Sequence, residues 1–417
     1  MNETSPFSGE HNLPGNYAAD LLTIDHGDGV WLFDRAGNRY LDMGAGIAVN
    51  ALGYGRDDLA DIAAAQMRRL IHVSNLYTTE PTLRLAQRLS QARIGAWDPD
   101  FAAVHFGNSG AEANEAAVKY ARLYAHRTHG DNKHKLLSFH NGFHGRTMGA
   151  LSLTHNPKYR EPFEPLVPGC VYAPFNDTVA LEQVLDDSFA GVIVEVVQGE
   201  GGLTSMTPEF ANALNRLCRT HRVILIADEV QTGLGRTGRL FASEFVGLRP
   251  DIVSLSKPLA GGLPLSATLI SRRINQQLHL GDHGSTFGGG PVTTAVALRV
   301  WEIVDDSAFL ADVRHRATHL EQRLSQLRQR FPFVGKPCGM GLLRGLPISA
   351  GLQLPDIMTA ILDSARQNGL LVLRSGSNVI RIAPPLVISE GEIDEGCSLL
   401  ASALESVAAQ FKGELYE

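Results

Sequence analysis

Between residues 56 and 290 short apolar runs alternate with stretches of helical period, and no other feature of the chain narrows its fold as much. The runs are Phe101–Phe106, Lys135–His140, Gly191–Val197, Val223–Ala227, Ile252–Leu255 and Ala267–Ser271. Rich in Val, Ile and Leu and flanked by helical segments, they read as strands buried on both faces. The helical stretches lie near Asp57–Leu70, Pro81–Gln91 and Ala111–His126. Such alternation predicts an α/β layer around a mostly parallel sheet.

The texture differs at both ends. Residues 1–20 are polar and rich in Gly, Pro and Asn, as in a loose arm, and Val30–Asp34 with Arg39–Met43 predict a hairpin around Ala36-Gly37-Asn38. After Pro291 a long helical region, Thr293–Arg330, is broken near Asp305-Asp306. Short strands are then expected at Gly341–Leu346, Leu370–Leu373 and Val379–Ile382, with helices over Pro355–Asn368 and Gly391–Phe411. This is the pattern of a smaller α+β domain.

Several function classes are excluded. Lys and Arg number 37 against 44 Asp and Glu, a formal charge of −7, so the chain lacks the general footprint of a nucleic-acid binder. No apolar stretch approaches the roughly 18 residues of a membrane span, and the polar, acidic start is unlike a signal peptide. Cys170, Cys218, Cys338 and Cys397 are far apart, which suggests isolated thiols in a reducing cytoplasm rather than a disulfide framework. The fifteen histidines show no metal-ligand spacing, so no metal is expected.

Two strand ends carry unusual residues. Val223–Ala227 runs into Asp228-Glu229, and Ile252–Leu255 into Ser256-Lys257-Pro258. Each has an ordinary structural reading, the acid as a turn cap or an arginine partner, the lysine as a snorkel to solvent. Together they suggest one chemistry. A lysine in a pocket can form an imine with an aldehyde. A carboxylate can keep a heteroaromatic nitrogen protonated and so make its ring an electron sink. Those are the protein groups that pyridoxal phosphate requires. Asn108-Ser109-Gly110-Ala111, between a strand and a helix, could cradle the phosphate, although Ser-Gly there is also a good N-cap.

Gly233-Leu234-Gly235-Arg236-Thr237-Gly238 matches the glycine pattern of dinucleotide-binding turns. Five residues separate it from its strand and no acid ends the next one, so it reads as an ordinary turn.

The segments F-G-N-S-G-A-E-A-N-E-A-A (106–117), N-G-F-H-G-R-T (141–147), V-V-Q-G-E-G-G (196–202), A-D-E-V-Q-T-G-L-G-R-T-G (227–238), L-S-K-P-L-A-G-G (255–262), G-D-H-G-S-T-F-G-G (281–289) and R-I-A-P-P-L-V-I (381–388) resemble, in order, the class III pyridoxal-phosphate aminotransferases. The wording is most similar to the acetylornithine aminotransferase subgroup, notably in A-G-I-A-V-N (45–50) and I-D-E-G (393–396). The resemblance implies the α/β architecture called fold type I: a large domain with a seven-stranded, mostly parallel sheet and a smaller α+β domain built from both chain ends. The expected division is 1–55 for the arm and part of the small domain, 56–295 for the large cofactor-binding domain, and 296–417 for the rest of the small one. It also implies a homodimer with shared active sites, located in the cytoplasm.

Carried over by motif, Lys257 is the lysine that bonds the cofactor and Asp228 the partner of its ring nitrogen. Ser109, Gly110 and Ala111 hold its phosphate, Phe143 stacks on its ring, Gln231 lies near its phenolic oxygen, and Thr286 reaches the phosphate in the neighbouring subunit. Arg146 resembles the residue that grips the substrate carboxylate remote from the reacting amine. Arg381 resembles the one that binds the α-carboxylate of 2-oxoglutarate, with Glu200 as its gate. The implied reaction is ping-pong transfer of the terminal amine of N2-acetyl-L-ornithine to 2-oxoglutarate, through Lys257 as proton carrier. Gly46 stands where ornithine aminotransferases place a tyrosine against the free α-amine, which leaves room for an acylated donor. The remaining donors of this kind are succinylornithine, succinyl-diaminopimelate, ornithine and 4-aminobutyrate. A scaffold protein that keeps the fold would need none of these charged groups. Two segments depart from the subgroup: Pro258-Leu259-Ala260 after the lysine, and Arg344 on a strand where an acid is usual.

Overall fold

The computed structural model describes residues 14, 16, 22–349 and 355–411, so nearly all of the arm expected over residues 1–20 lies outside the described residues. Seven strands form the central sheet in the order Phe101–Gly107, Ser266–Ser271, Ile252–Leu255, Ile224–Asp228, Phe189–Glu195, Lys135–Phe139, Cys170–Ala173. Six run parallel; only Ser266–Ser271 is antiparallel to both neighbours. Because strand side chains alternate between faces, two apolar layers result. Val192, Val194, Leu225, Ala227 and Val253 enter one core with Leu85, Leu89, Phe210 and Leu214. Ile193, Ile224, Ile226, Ile252 and Ile270 meet the helix Gly110–His129 on the other.

Six of the seven strands coincide with the apolar runs. Cys170–Ala173, at one edge of the sheet, is the strand not among them; three of its four residues are only half-buried. The run Gly191–Val197 is divided: the strand ends at Glu195, and Val197–Gln198 turns away to pair with Thr204–Ser205. The long helical region breaks as expected, into Pro291–Val304 and Ser307–Arg330, with Asp306 capping the second helix. The first of these crosses the expected seam at 295/296 and gives Val296, Ala297, Val300 and Trp301 to the large core.

A second core unites both chain ends. Val30, Leu41, Met43 and Ala51 pack with Leu320, Leu324, Ile361, Ile380, Leu400 and Leu404. The hairpin strands Trp31–Asp34 and Arg39–Asp42 are extended by Leu370–Leu371, parallel to Arg39–Asp42. Beside them lies an antiparallel sheet in the order Cys338–Met340, Leu343–Pro347, Val379–Ile382, Leu373–Ser375. Between the hairpin and the first long helix, Ala45, Gly46, Ile47 and Ala48 all have φ between 48° and 62°, a left-handed turn that is costly for residues with a side chain. Asp42 fixes its entry by accepting from the N–H groups of Gly44 and Ala45 at 2.8 and 2.9 Å and from the Tyr54 hydroxyl at 2.5 Å.

Candidate active site

In an open parallel sheet the groups at the carboxyl ends of the strands share one crevice. Asp228 and Glu195 end neighbouring strands as direct register partners. Lys257 follows the next strand and has a φ of +41°. Its Nζ donates to Oε1 of Gln231, the side chain on the turn after Asp228. Burial lowers the Lys257 pKa to about 8; the Arg381 charge acts in the same sense, and Glu200, Asp228 and Glu195 oppose it. The Asp228 charge thus reaches the lysine.

Asp228 is 4% exposed and fully engaged. Its Oδ2 accepts from Asn114 Nδ2 and His144 Nδ1, both at 2.8 Å, and its Oδ1 from the Val230 N–H at 3.1 Å. For His144, burial disfavours the charged ring, but the bond to Asp228 and the charges of Asp228 and Glu195 outweigh it, so its pKa rises. His144 and Asn114 lie inside two of the motifs quoted above, yet sequence reasoning gave them no role. The sequence signal was a polar residue at an otherwise buried helix position, Asn114, and a histidine beside an anchored loop. Glu195 was missed entirely. Burial, with the Asp228 charge, pushes its carboxyl up to about 7 against the opposing influence of His144 and of two backbone bonds. Its Oε2 accepts from the Phe143 N–H at 2.9 Å and its Oε1 from the Gly199 N–H at 3.2 Å.

Ser109 caps the helix Gly110–His129, accepting from the Glu112 N–H at 3.3 Å. The Glu112 carboxylate reaches back to the Asn108 N–H at 2.7 Å and to the Ser109 hydroxyl at 3.2 Å. The N–H groups of Gly110 and Ala111 have no backbone acceptor among the described residues. A Cβ at Gly110 would lie 2.6 Å from Val230 Cγ1, so only glycine lets the helix start approach the Asp228 turn this closely.

On the opposite wall Arg381, 4% exposed, lies on Val379–Ile382 of the small sheet. Its Nη1 donates to Glu200 Oε1 at 2.5 Å and to the Gly199 carbonyl at 3.2 Å. The Ser375 hydroxyl also donates to the Gly199 carbonyl, at 2.7 Å, and accepts from the Gly202 N–H at 3.0 Å. A cavity of about 810 Å³ opens beside this pair, lined by Phe143, Tyr159, Glu200, Lys158 and Arg374 among others. The Arg146 guanidinium stacks 4.0 Å from the Tyr159 ring centre and 5.6 Å from that of Phe143. Thr286 stands exposed on the loop after Asp282 and makes no bond to the Lys257 cluster among the described residues. That loop is pinned to the chain by the two-pronged Arg127–Asp282 pair at 2.7 Å and by Asn75, which donates to the Ser285 and Gly288 carbonyls.

The residues present fit pyridoxal phosphate. They supply an amine of lowered pKa, a buried carboxylate held by the Asn114 and His144 side chains, and unpaired N–H groups at a helix start. Gln231 Nε2, buried beside Lys257 and without a partner, is a free donor at the same place. Gly233–Gly238, by contrast, is a turn closed by Gly238 N–H to the Gly235 carbonyl, and no long helix follows it. Among the described residues there is no cluster suited to a metal ion and no helix long and apolar enough to cross a membrane.

The family model described as aminotransferase class-III matches residues 14–404. A probable mitochondrial acetylornithine aminotransferase of Dictyostelium discoideum is 41% identical over 94% of this chain and 85% of its own length. An acetylornithine/succinyldiaminopimelate aminotransferase of Photorhabdus laumondii is 40% identical, over 95% and 96%. The crystal structure of N-acetylornithine aminotransferase from Stenotrophomonas maltophilia superposes with a TM-score of 0.81 at 31% identity, covering 94% of this chain and 98% of the other.

Proposed function

The chain belongs to the class III aminotransferases, and from that membership we propose that it moves the terminal amino group of N2-acetyl-L-ornithine to 2-oxoglutarate, giving N-acetylglutamate 5-semialdehyde and glutamate. The observation that carries this reading is the Arg381–Glu200 pair, both of whose charges act on Lys257. One site must take a terminal amine and then an α-keto acid. Paired with Glu200, Arg381 exerts little pull on a carboxylate; released, it offers a planar two-pronged grip. The substrate named in the relatives at 41% and 40% identity supports the acetylated donor. So does Gly46, exposed on the left-handed turn with no side chain to fill the space.

Pyridoxal phosphate, when bound, supplies an aldehyde that takes up the amino group and a ring that stores the electron pair released at the substrate carbon. The chain does the rest. Asp228, bonded to the His144 and Asn114 side chains, would hold a proton on the ring nitrogen. Lys257, with its pKa lowered towards neutrality, accepts a proton from the substrate carbon and returns it, as an efficient general base must. Phe143 would pack on the ring, Gln231 would donate to its phenolic oxygen, and Ser109, Gly110 and Ala111 would bind the phosphate. Arg146 holds the distal carboxylate in both half-reactions.

The protein acts as a homodimer in which Thr286 completes the partner's phosphate site. A contiguous exposed apolar strip supports this: Leu76 and Tyr77, joined through Asn75 to the segment that holds Thr286 and Phe287. Four free cysteines suit a cytoplasmic location. A second reading, a donor whose acyl group carries its own carboxylate, is favoured by Lys158 and Arg374 on the cavity wall.

A panel of amino donors with 2-oxoglutarate, read by glutamate formation, tests the substrate. N2-acetylornithine should give the highest kcat/KM, and a preference for ornithine or 4-aminobutyrate would overturn the reading. Borohydride treatment of the yellow protein should fix the cofactor on the Lys257 peptide; a colourless protein that binds no pyridoxal phosphate would end it.

A further inference from the structure

Glu195 is a buried carboxylate to which the proposed mechanism gives no task. Each of its oxygens serves a different segment. Oε2 takes the Phe143 N–H, and Phe143 is the ring-stacking residue. Oε1 takes the Gly199 N–H, and the Gly199 carbonyl on the same peptide chain receives both Arg381 and Ser375. The carboxylate thus lies between the wall that meets the cofactor and the loop that carries Glu200. Its backbone is locked as well, because Glu195 and Asp228 are register partners on adjacent strands.

We propose that Glu195 is a positioning residue that couples the cofactor wall to the Glu200 gate, one carboxylate holding the backbone of Phe143 and the backbone of Gly199 at a fixed separation. When Glu200 leaves Arg381, the loop Gly199–Gly202 loses one of its bonds to the small sheet, and the shift of that loop passes through Glu195 to Phe143. The gate state is therefore felt at the ring. The coupling rests on the gate reading of Glu200, and the tests keep the two apart.

Glutamine has the size of glutamate but only one accepting oxygen, so Glu195→Gln must abandon either the Phe143 or the Gly199 N–H. A charged acceptor lost from a buried donor corresponds to a change of about tenfold or more in an equilibrium. In the apo-protein the affinity for added pyridoxal phosphate, followed by quenching of intrinsic fluorescence, should fall about tenfold or more by that argument, and in the loaded enzyme the preference for terminal-amine over α-amine donors should fall with it. A purely structural acid would lower the unfolding midpoint and move neither quantity. A change in one quantity without the other would overturn the coupling.

Ser375→Ala approaches from the other side. Ser375 touches only the gate loop, at the Gly199 carbonyl and the Gly202 N–H. It should nevertheless weaken cofactor binding by the apo-protein, and that effect should vanish in the Glu195→Gln background, the signature of a shared path in a double-mutant cycle. Should Glu195→Gln fail to fold, Ser375→Ala decides alone: unaltered cofactor affinity with altered donor preference would refute the link. Glu200→Ala separates the premises. If it leaves donor preference unchanged, the gate reading fails, while the apo-protein affinities still decide whether Glu195 joins the two walls.

Discussion

At the scale of single residues, Asp228 and Lys257 differ in how their neighbours treat them. Asp228 has donors on both oxygens, and removing its charge leaves those donors pointing at nothing that can hold a ring proton. Asp228→Asn should therefore cut kcat by several orders of magnitude while the protein still binds the cofactor, measured by steady-state rates beside an absorption spectrum. Lys257 has the opposite environment: burial and Arg381 favour its neutral form. In the apo-protein its acylation by an amine-selective reagent should rise with pH and level off above about 8, whereas exposed lysines continue to gain reactivity. Peptide mapping of labelled protein across a pH series would read this directly. A lysine that follows the exposed ones would remove the electrostatic basis for its role. Arg146→Ala should raise KM in both half-reactions, because the proposed mechanism gives the distal carboxylates of donor and keto acid the same guanidinium; an effect on only one of them would reassign that arginine.

Among the elements, the helix Gly110–His129 carries structural and binding duties at its start. Ser109→Ala removes its cap and should cost about 1 kcal/mol of stability, seen as a lower denaturation midpoint in the apo-protein, together with weaker phosphate binding. The left-handed turn over Ala45–Ala48 makes the reverse prediction. Gly46→Ala forces a Cβ onto a φ of 61°, 3.0 Å from Asn50 Nδ2, and should destabilise by about 1 to 2 kcal/mol. This is also the scale at which legibility in the sequence divides. Strands buried on both faces announce themselves because each face needs apolar side chains, so six were readable, among them the two that lead to Asp228 and Lys257. The strand Cys170–Ala173 was not, although its four residues are apolar, because Pro168-Gly169 before it and Pro174 after it mark the stretch as loop. The charged residues with motif counterparts could be named from the chain alone. Glu195, Asn114 and His144 could not be given tasks, because their meaning lies in which oxygen meets which backbone N–H, and that is settled only when distant strands come into register.

For the whole molecule, the exposed apolar strip and the outward-facing Thr286 belong to one argument. Leu76, Tyr77, Leu280 and Phe287 are each more than half exposed in the single chain. Burying such side chains is worth about 1.5–3 kcal/mol apiece, enough to drive association. Leu76→Asp should yield monomers by analytical ultracentrifugation, and those monomers should hold the cofactor less tightly than the dimer does. Monomers that keep full affinity would return Thr286 to the surface and leave each site complete in itself.

The pairing of Arg39–Asp42 with Leu370–Leu371 has a consequence for how the protein comes into being. A ribosome exposes the first of these strands before any strand of the central sheet and the second only after all of them. Throughout that interval the hairpin has one open edge and no apolar layer to rest on, while the central sheet can already assemble. The nascent polypeptide therefore passes through a stage with a finished floor and no roof. Arg381, the proposed grip for the keto acid, follows every strand of the central sheet in the chain, so its half of the site is made only after the floor it closes over.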